Sequence, residues 1–271
     1  MPKRLSTLFF ILSLVFIFPG CATLKTPTVN HIAKQTFLPP QEILEKIDRN
    51  HQSPGALKAI AHIEANTLQG RYPLKAAVMV KRPSSLRLEV LPLIGPPELI
   101  LSVHENVLKV FLPQKGEFYI GQALGKNLGH FFPFSMEGLL IEDITSLLFG
   151  AHPEIKEKSL TLKDSSEDGF YRLDILSEQR KIQSLLIDSE NSKLVRVNLF
   201  DNNNSLRYSI RFLGHTMIEN LAIPEKITFT SGDDANPYII IRYSDTQIAT
   251  EADAGSFDLQ PPPKVTTIYL D

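Results

Sequence analysis

The residues able to do chemistry are spread along this chain in a pattern that argues against catalysis. Seven histidines, His31, His51, His62, His104, His130, His152 and His215, lack a second ligand at metal-binding spacing. None stands in H-E-x-x-H, and none has a nearby cysteine, because the only one is Cys21. There is no G-x-S-x-G nucleophile elbow, no P-loop and no dinucleotide fingerprint. Acids gather in turn-like stretches such as Asp233-Asp234 after Gly232. A solvated turn accounts for these without calcium or catalysis. The expectation is a protein that is not an enzyme and that holds no cofactor and no metal.

Cys21 is the exception, and the chemistry expected of it is acylation, against an ordinary cleaved signal or an uncleaved anchor. The chain opens Met-Pro-Lys3-Arg4, followed by fourteen uncharged residues, 5–18, nearly all Leu, Phe, Ile and Val. A basic start, a short apolar run and a small residue before a cut make a secretory signal. The run is shorter than the ~20 residues of a permanent span, and Pro19-Gly20 breaks a helix where a span would continue. Phe18-Pro19-Gly20-Cys21 resembles the bacterial lipobox, in which the cysteine is lipidated and becomes the first residue. Phe18 and Pro19 depart from the usual pattern; Gly20 and Cys21 fit it. A lone free thiol is a liability in an oxidising compartment, and lipidation removes it. Two or three acyl chains, at ~0.8 kcal/mol per buried CH₂, hold a protein firmly on a bilayer. Ala22 follows rather than the Asp that retains such proteins at the inner membrane, so the resemblance implies the outer membrane, facing the periplasm.

The elements that must position any remaining function come next. The 250 residues after Cys21 suffice for a substantial core. The net charge is −2 and there is no basic block, which excludes nucleic acid as a partner class. The expected organisation is a signal over 1–20, a lipidated flexible tether over 21–40 and one domain over 41–271. Residues 41–50 read as a short helix with Ile43, Leu44 and Ile47 on one face. From about Ala59 the period is two, as in Leu74, Ala76, Val78 and Val80, then Leu86, Leu88 and Val90, then Leu99, Leu101 and Val103. Residues 136–149 switch to helical spacing through Met136, Leu139, Leu140, Ile144, Leu147 and Leu148, with Gly150 as the C-cap. Strands resume from Ser159, separated by turns at 164–169, 188–192 and 201–205. The fold class predicted is mainly β: an unclosed, curled antiparallel β-barrel of about 11 strands, with an N-terminal helix and an inserted lid helix. Curling around a helix leaves an interior that side chains need not fill.

Residues 86–150 carry a resemblance. Leu86-Arg-Leu88-Glu-Val90-Leu-Pro92-Leu93-Ile94-Gly95 runs into Glu98-Leu99-Ile-Leu101, and a later helical stretch closes on Leu147-Leu148-Phe149-Gly150. This is similar to LolB, the outer-membrane lipoprotein family that receives lipoproteins from the periplasmic carrier LolA and inserts them. In that family a strand enters a Pro-Leu-Gly loop with an exposed Leu. Pro92, Leu93 and Gly95 match the loop, and Ile94 is an insertion, so Leu93 or Ile94 is the expected membrane-insertion tip. The family's usual tryptophans are absent. The resemblance implies a LolA/LolB-like barrel with an apolar interior that takes acyl chains of lipoproteins or lipids. The expected lining is Leu88, Val90, Leu99, Leu101, Leu140, Ile144 and Leu148. Expected partners are membrane lipid through the N-terminal acyl chains, acylated lipoproteins and a LolA-like carrier, with the protein itself a monomer. The competing expectation is a structural or assembly lipoprotein of the cell envelope, packed solid, that docks a protein partner. Both require the same amphipathic pattern in 136–149, and a hydrophobic turn at Leu93-Ile94 suits a core-facing loop as well as a wedge.

Overall fold

The computed structural model describes residues 39–50, 55–67, 70–132, 136, 138–155, 160–167, 169–232, 238–250, 252 and 254–271. Cys21, the signal and nearly all of the predicted tether lie outside them. Residues Leu38–Asp271 form one compact unit, which holds every element described.

Helix α1 (Pro40–Asn50) begins at the proline, whose missing N–H costs nothing in a first turn. Its Ile43 and Ile47 are buried. Six strands follow in a meander: β1 (Ala56–Thr67), β2 (Gly70–Lys81), β3 (Ser85–Leu91), β4 (Leu99–His104), β5 (Val107–Leu112) and β6 (Glu117–Gln122). Two helices interrupt, α2 (Gly125–Leu128) and α3 (Ile141–Leu148). A second meander runs through β7 (Leu160–Glu167), β8 (Phe170–Ser177), β9 (Arg180–Asp188), β10 (Leu194–Phe200), β11 (Leu206–Ile218), β12 (Leu221–Ser231) and β13 (Tyr238–Ala249). Strand β14 (Thr266–Tyr269) ends the chain.

All fourteen strands join one sheet in the order β14-β6-β5-β4-β3-β2-β1-β13-β12-β11-β10-β9-β8-β7. The two meanders are zipped together where β1 meets β13, with Ala61 opposite Tyr243 and Ile63 opposite Ile241. β14 and β7 remain as edges, so the sheet is curled and unclosed. α1 packs against β7, one way of covering an edge. Inward positions alternate along each strand as period-two patterning requires. Ala61, Val80, Leu101, Val103 and Ile227 are buried, while Lys75, His62 and Arg242 point out.

The C-terminal segment crosses the convex side of β2 to β5. Phe257 is buried there against Ala56 and Ala252 and stacks on His104 at 6.1 Å. The Ser102 hydroxyl donates to the Phe257 carbonyl, and Lys81 Nζ donates to the Ala252 carbonyl at 2.9 Å. Lys109 pairs with Asp258 at 2.9 Å, and its ammonium holds that carboxyl below the ordinary range. β14 then pairs with β6 in parallel, Ile268 opposite Tyr119.

Four sequence-based expectations change. Among the described residues the sheet has fourteen strands rather than about 11; one that was not foreseen is β14, past Pro261-Pro262-Pro263. The helix expected over 136–149 starts only at Ile141: Gly138 has φ +73 and Leu140 is extended, so neither continues a helix. The turn expected over 164–169 shrinks, because β7 runs to Glu167 and pairs Ser165 with Arg172 and Ser166 with Tyr171. α2 was not foreseen, since four residues carry no period.

Candidate apolar cavity and exposed tip

The concave face of the central strands and α3 enclose a cavity of about 80 Å³ with an entirely apolar lining apart from one phenol. Strand β1 contributes Ala61 and Ile63, β2 contributes Val78, and β3 contributes Leu86 and Leu88. Across the zipper, β13 contributes Ile239, Ile241 and Tyr243, and β12 contributes Phe229. The roof is Ile144 and Leu148 of α3, with Leu128, Phe132, Met136 and Leu139 from the preceding segment.

Helix α3 is fastened at both ends. At its N-terminus the Asp143 carboxylate accepts from the Leu140 N–H at 2.9 Å, placing negative charge where the helix dipole favours it. At its C-terminus Phe149 is the last αR residue and Gly150 follows at φ +82. The Ala151 N–H donates to Ser146 O at 2.9 Å and the Gly150 N–H to Leu147 O at 3.0 Å, the paired bonds of a Schellman ending. The Tyr243 hydroxyl rises from the sheet and donates to Leu148 O at 3.1 Å. Burial raises the Tyr243 phenol's pKa well above its ordinary value, so it stays a neutral donor. The Thr145 hydroxyl donates to Pro83 O, tying mid-helix to the β2–β3 turn. Ile141 and Leu147 are buried beneath.

A polar cluster lies outside the cavity. His152, 5% exposed, has Nε2 3.0 Å from an Asp48 oxygen of α1 and Nδ1 2.8 Å from Pro153 O. It joins α1 to the segment after α3. Among the described residues no group of three metal-ligating side chains is present, and no described helix is long and apolar enough to cross a membrane.

Of the seven residues expected to line an interior, Leu88, Ile144 and Leu148 meet at this cavity. Leu101 is fully buried one strand further along, opposite Leu88. Val90 and Leu99 face each other half-buried near the end of β3 and β4. Leu140, at the start of α3, is 50% exposed. Sequence reasoning missed the β13 and β12 contribution. The alternation of Ile239, Ile241 and Tyr243 is legible, but their pairing with β1 across about 180 residues is not.

The β3–β4 loop settles an ambiguity of packing. Leu93 is 105% exposed and Ile94 93%, so neither folds back on the core. The Glu98 N–H donates to Val90 O at 2.9 Å, closing the loop's base, while Pro92, Pro96 and Pro97 stiffen it. Gly95, at φ +110, takes a conformation other residues resist.

No protein-family model matches the sequence, and no curated protein does. Solved structures do. A LolA superfamily protein from Nitrosomonas europaea aligns over 82% of this chain and 99% of its own, with TM-score 0.57 and 14% identity. A Vibrio parahaemolyticus domain described as belonging to an outer-membrane lipoprotein-sorting protein aligns over 80% and 95%, with TM-score 0.54 and 10% identity. A DUF1329 family protein from Desulfovibrio piger aligns over 81% and 95%, with TM-score 0.59 and 14% identity. At such identities the likeness is one of fold, and the fold is LolA/LolB-like.

Proposed function

We propose, from a LolA/LolB-like fold as the premise, that this chain is an outer-membrane lipoprotein anchored through Cys21 that binds acyl chains of lipoproteins or lipids and helps their transfer into the membrane. The observation that carries the reading is the apolar cavity between α3 and the middle of an unclosed sheet. An apolar chain entering it gains ~25 cal/mol per Å² removed from water, with no covalent step. At about 80 Å³ the cavity is smaller than the ~300–1,000 Å³ of ordinary ligand pockets. Uptake therefore requires α3 to lift, and α3 is the element held by a few identifiable bonds rather than by a ladder. The exposed Leu93-Ile94 tip is then the bilayer contact, a hydrophobic wedge on a stiff loop.

The small cavity also supports a second reading, an envelope assembly lipoprotein with a filled interior and a protein partner. One experiment separates the two. The chain from residue 22, purified without detergent, is titrated with a fluorescent long-chain fatty acid and analysed for co-purified lipid by mass spectrometry. Saturable binding that weakens in Ile144→Phe, which extends into the cavity, supports acyl-chain binding. No saturable binding and no lipid, together with capture of a defined envelope protein, supports the assembly role.

A further inference from the structure

The concave face is roofed by α3 and much of the convex face by the C-terminal segment, but β1, β13, β12 and β11 leave their convex side to solvent with a row of basic residues. Lys75, His62, Arg242 and Lys226 stand directly opposite one another on β2, β1, β13 and β12. His62 lies between Ala61 and Ile63 and Arg242 between Ile241 and Tyr243, all cavity-lining residues, so the row points away from the cavity. With strands ~4.8 Å apart, the four span roughly 14 Å. Arg211, opposite Thr228, and Arg196, opposite Arg211, continue it one step along the ladder.

Lys226 faces Arg242 directly and Arg196 faces Arg211, and like charges directly opposite each other destabilise a sheet. Among the described residues Lys75, Lys226, Arg211 and Arg242 form no ion pair. The nearby Glu64 bonds to Arg71 at 2.7 Å and to the Tyr238 hydroxyl at 3.1 Å, and Arg242 adds a weaker charge attraction to it without a direct bond. The chain as a whole carries −2, so the row is a local excess rather than general basicity. Its β2 end also meets the apolar tip: His62, Lys75 and Arg242 line one open groove with Pro92, Leu93 and the acidic Glu64 and Glu98.

We infer that this row is a docking site for the phosphate headgroups of an anionic phospholipid bilayer, into which Leu93 and Ile94 insert beside it. The inference rests on the tip being a bilayer contact, as proposed above. An acidic protein partner would use the charges but would leave an almost fully exposed Leu-Ile pair unused, whereas a lipid surface satisfies both. Each basic residue near an anionic surface strengthens binding about fivefold, within a Debye length of ~8 Å at physiological salt.

The test is flotation of the chain from residue 22, which keeps the whole compact unit, on vesicles of phosphatidylcholine with and without phosphatidylglycerol. Anionic vesicles are expected to bind at least tenfold more tightly, with the advantage lost in high salt. Lys75→Gln with Arg242→Gln should weaken anionic binding about 25-fold and leave neutral binding unchanged, while Lys75→Arg with Arg242→Lys retains it. Equal binding to both vesicle types that still falls in Leu93→Ser overturns the row and leaves the bilayer-contact reading standing. Binding to neither overturns both. Tighter binding of polyglutamate than of anionic vesicles overturns the inference in favour of an acidic protein partner.

Discussion

Replacing Tyr243 by Phe should loosen the roof of the cavity while leaving its apolar lining intact. The Tyr243 hydroxyl donates to Leu148 O at 3.1 Å, and Leu148 is the last residue of α3. The carbonyls of Thr145, Ser146 and Leu147 are met by the N–H groups of Phe149, Ala151 and Gly150, so the phenol meets the carbonyl that the backbone leaves over. Leaving a buried carbonyl without its donor costs about 1–3 kcal/mol. A value near 1.4 kcal/mol is a tenfold change in an equilibrium. The bond is also lost whenever α3 lifts off the sheet, so its removal raises the open population by about the same factor. Amide hydrogen exchange of residues 141–148 should accelerate about tenfold, with a parallel fall of about 1–1.5 kcal/mol in urea unfolding. Association of a fluorescent fatty acid should accelerate with it. Slower unfolding-independent exchange in α3, or a urea midpoint that falls while α3 exchange stays fixed, would refute the assignment of Tyr243 as the catch on this helix. Exchange that accelerates without any change in fatty-acid association would show that α3 lifts but is not the gate.

Three further outcomes follow from the geometry. Gly150→Ala should cost about 2 kcal/mol in urea unfolding, because the position needs φ +82 and a Cβ would sit 2.6 Å from Pro224 Cδ. Stability should fall at alkaline pH. Burial, with Asp164 nearby, pushes the Tyr171 phenol up to about 12 from 10.0, and a raised folded pKa gives stability that is full below pH 10 and lost as pH climbs toward 12. Denaturation midpoints between those limits check it, and Tyr171→Phe should flatten the decline. Leu93→Ser with Ile94→Ser should leave the midpoint within ~0.5 kcal/mol, as expected for exposed positions, yet abolish binding to neutral vesicles.

The sequence by itself determined the class of fold and much of its detail. Period-two runs such as Leu86, Leu88 and Val90 became β3, with Leu86 and Leu88 buried and Val90 half-buried, because alternation is a local consequence of pleating. The strand pattern and the Leu93 loop sufficed to point to a LolA/LolB-like barrel, and solved structures share that fold. Gly150 was legible as a helix stop because a left-handed C-terminal residue is a local requirement. What lay beyond was long-range. The zipper of β1 to β13 puts Tyr243 and Ile241 into the cavity, and nothing near residue 243 announces its partner near residue 61. At Gly138, just before α3, a side chain would run into the Arg207 guanidinium, 69 positions away. Leu93 and Ile94 were compatible with both burial and exposure, and a hydrophobic turn by itself leans towards the core, yet both are exposed. The charge row could not be seen at all, for Lys75, His62, Arg242 and Lys226 are scattered in the chain and become neighbours only through strand register. Local periodicity is written in consecutive residues; which strands meet, and in what register, is decided by the summed burial of the whole sheet.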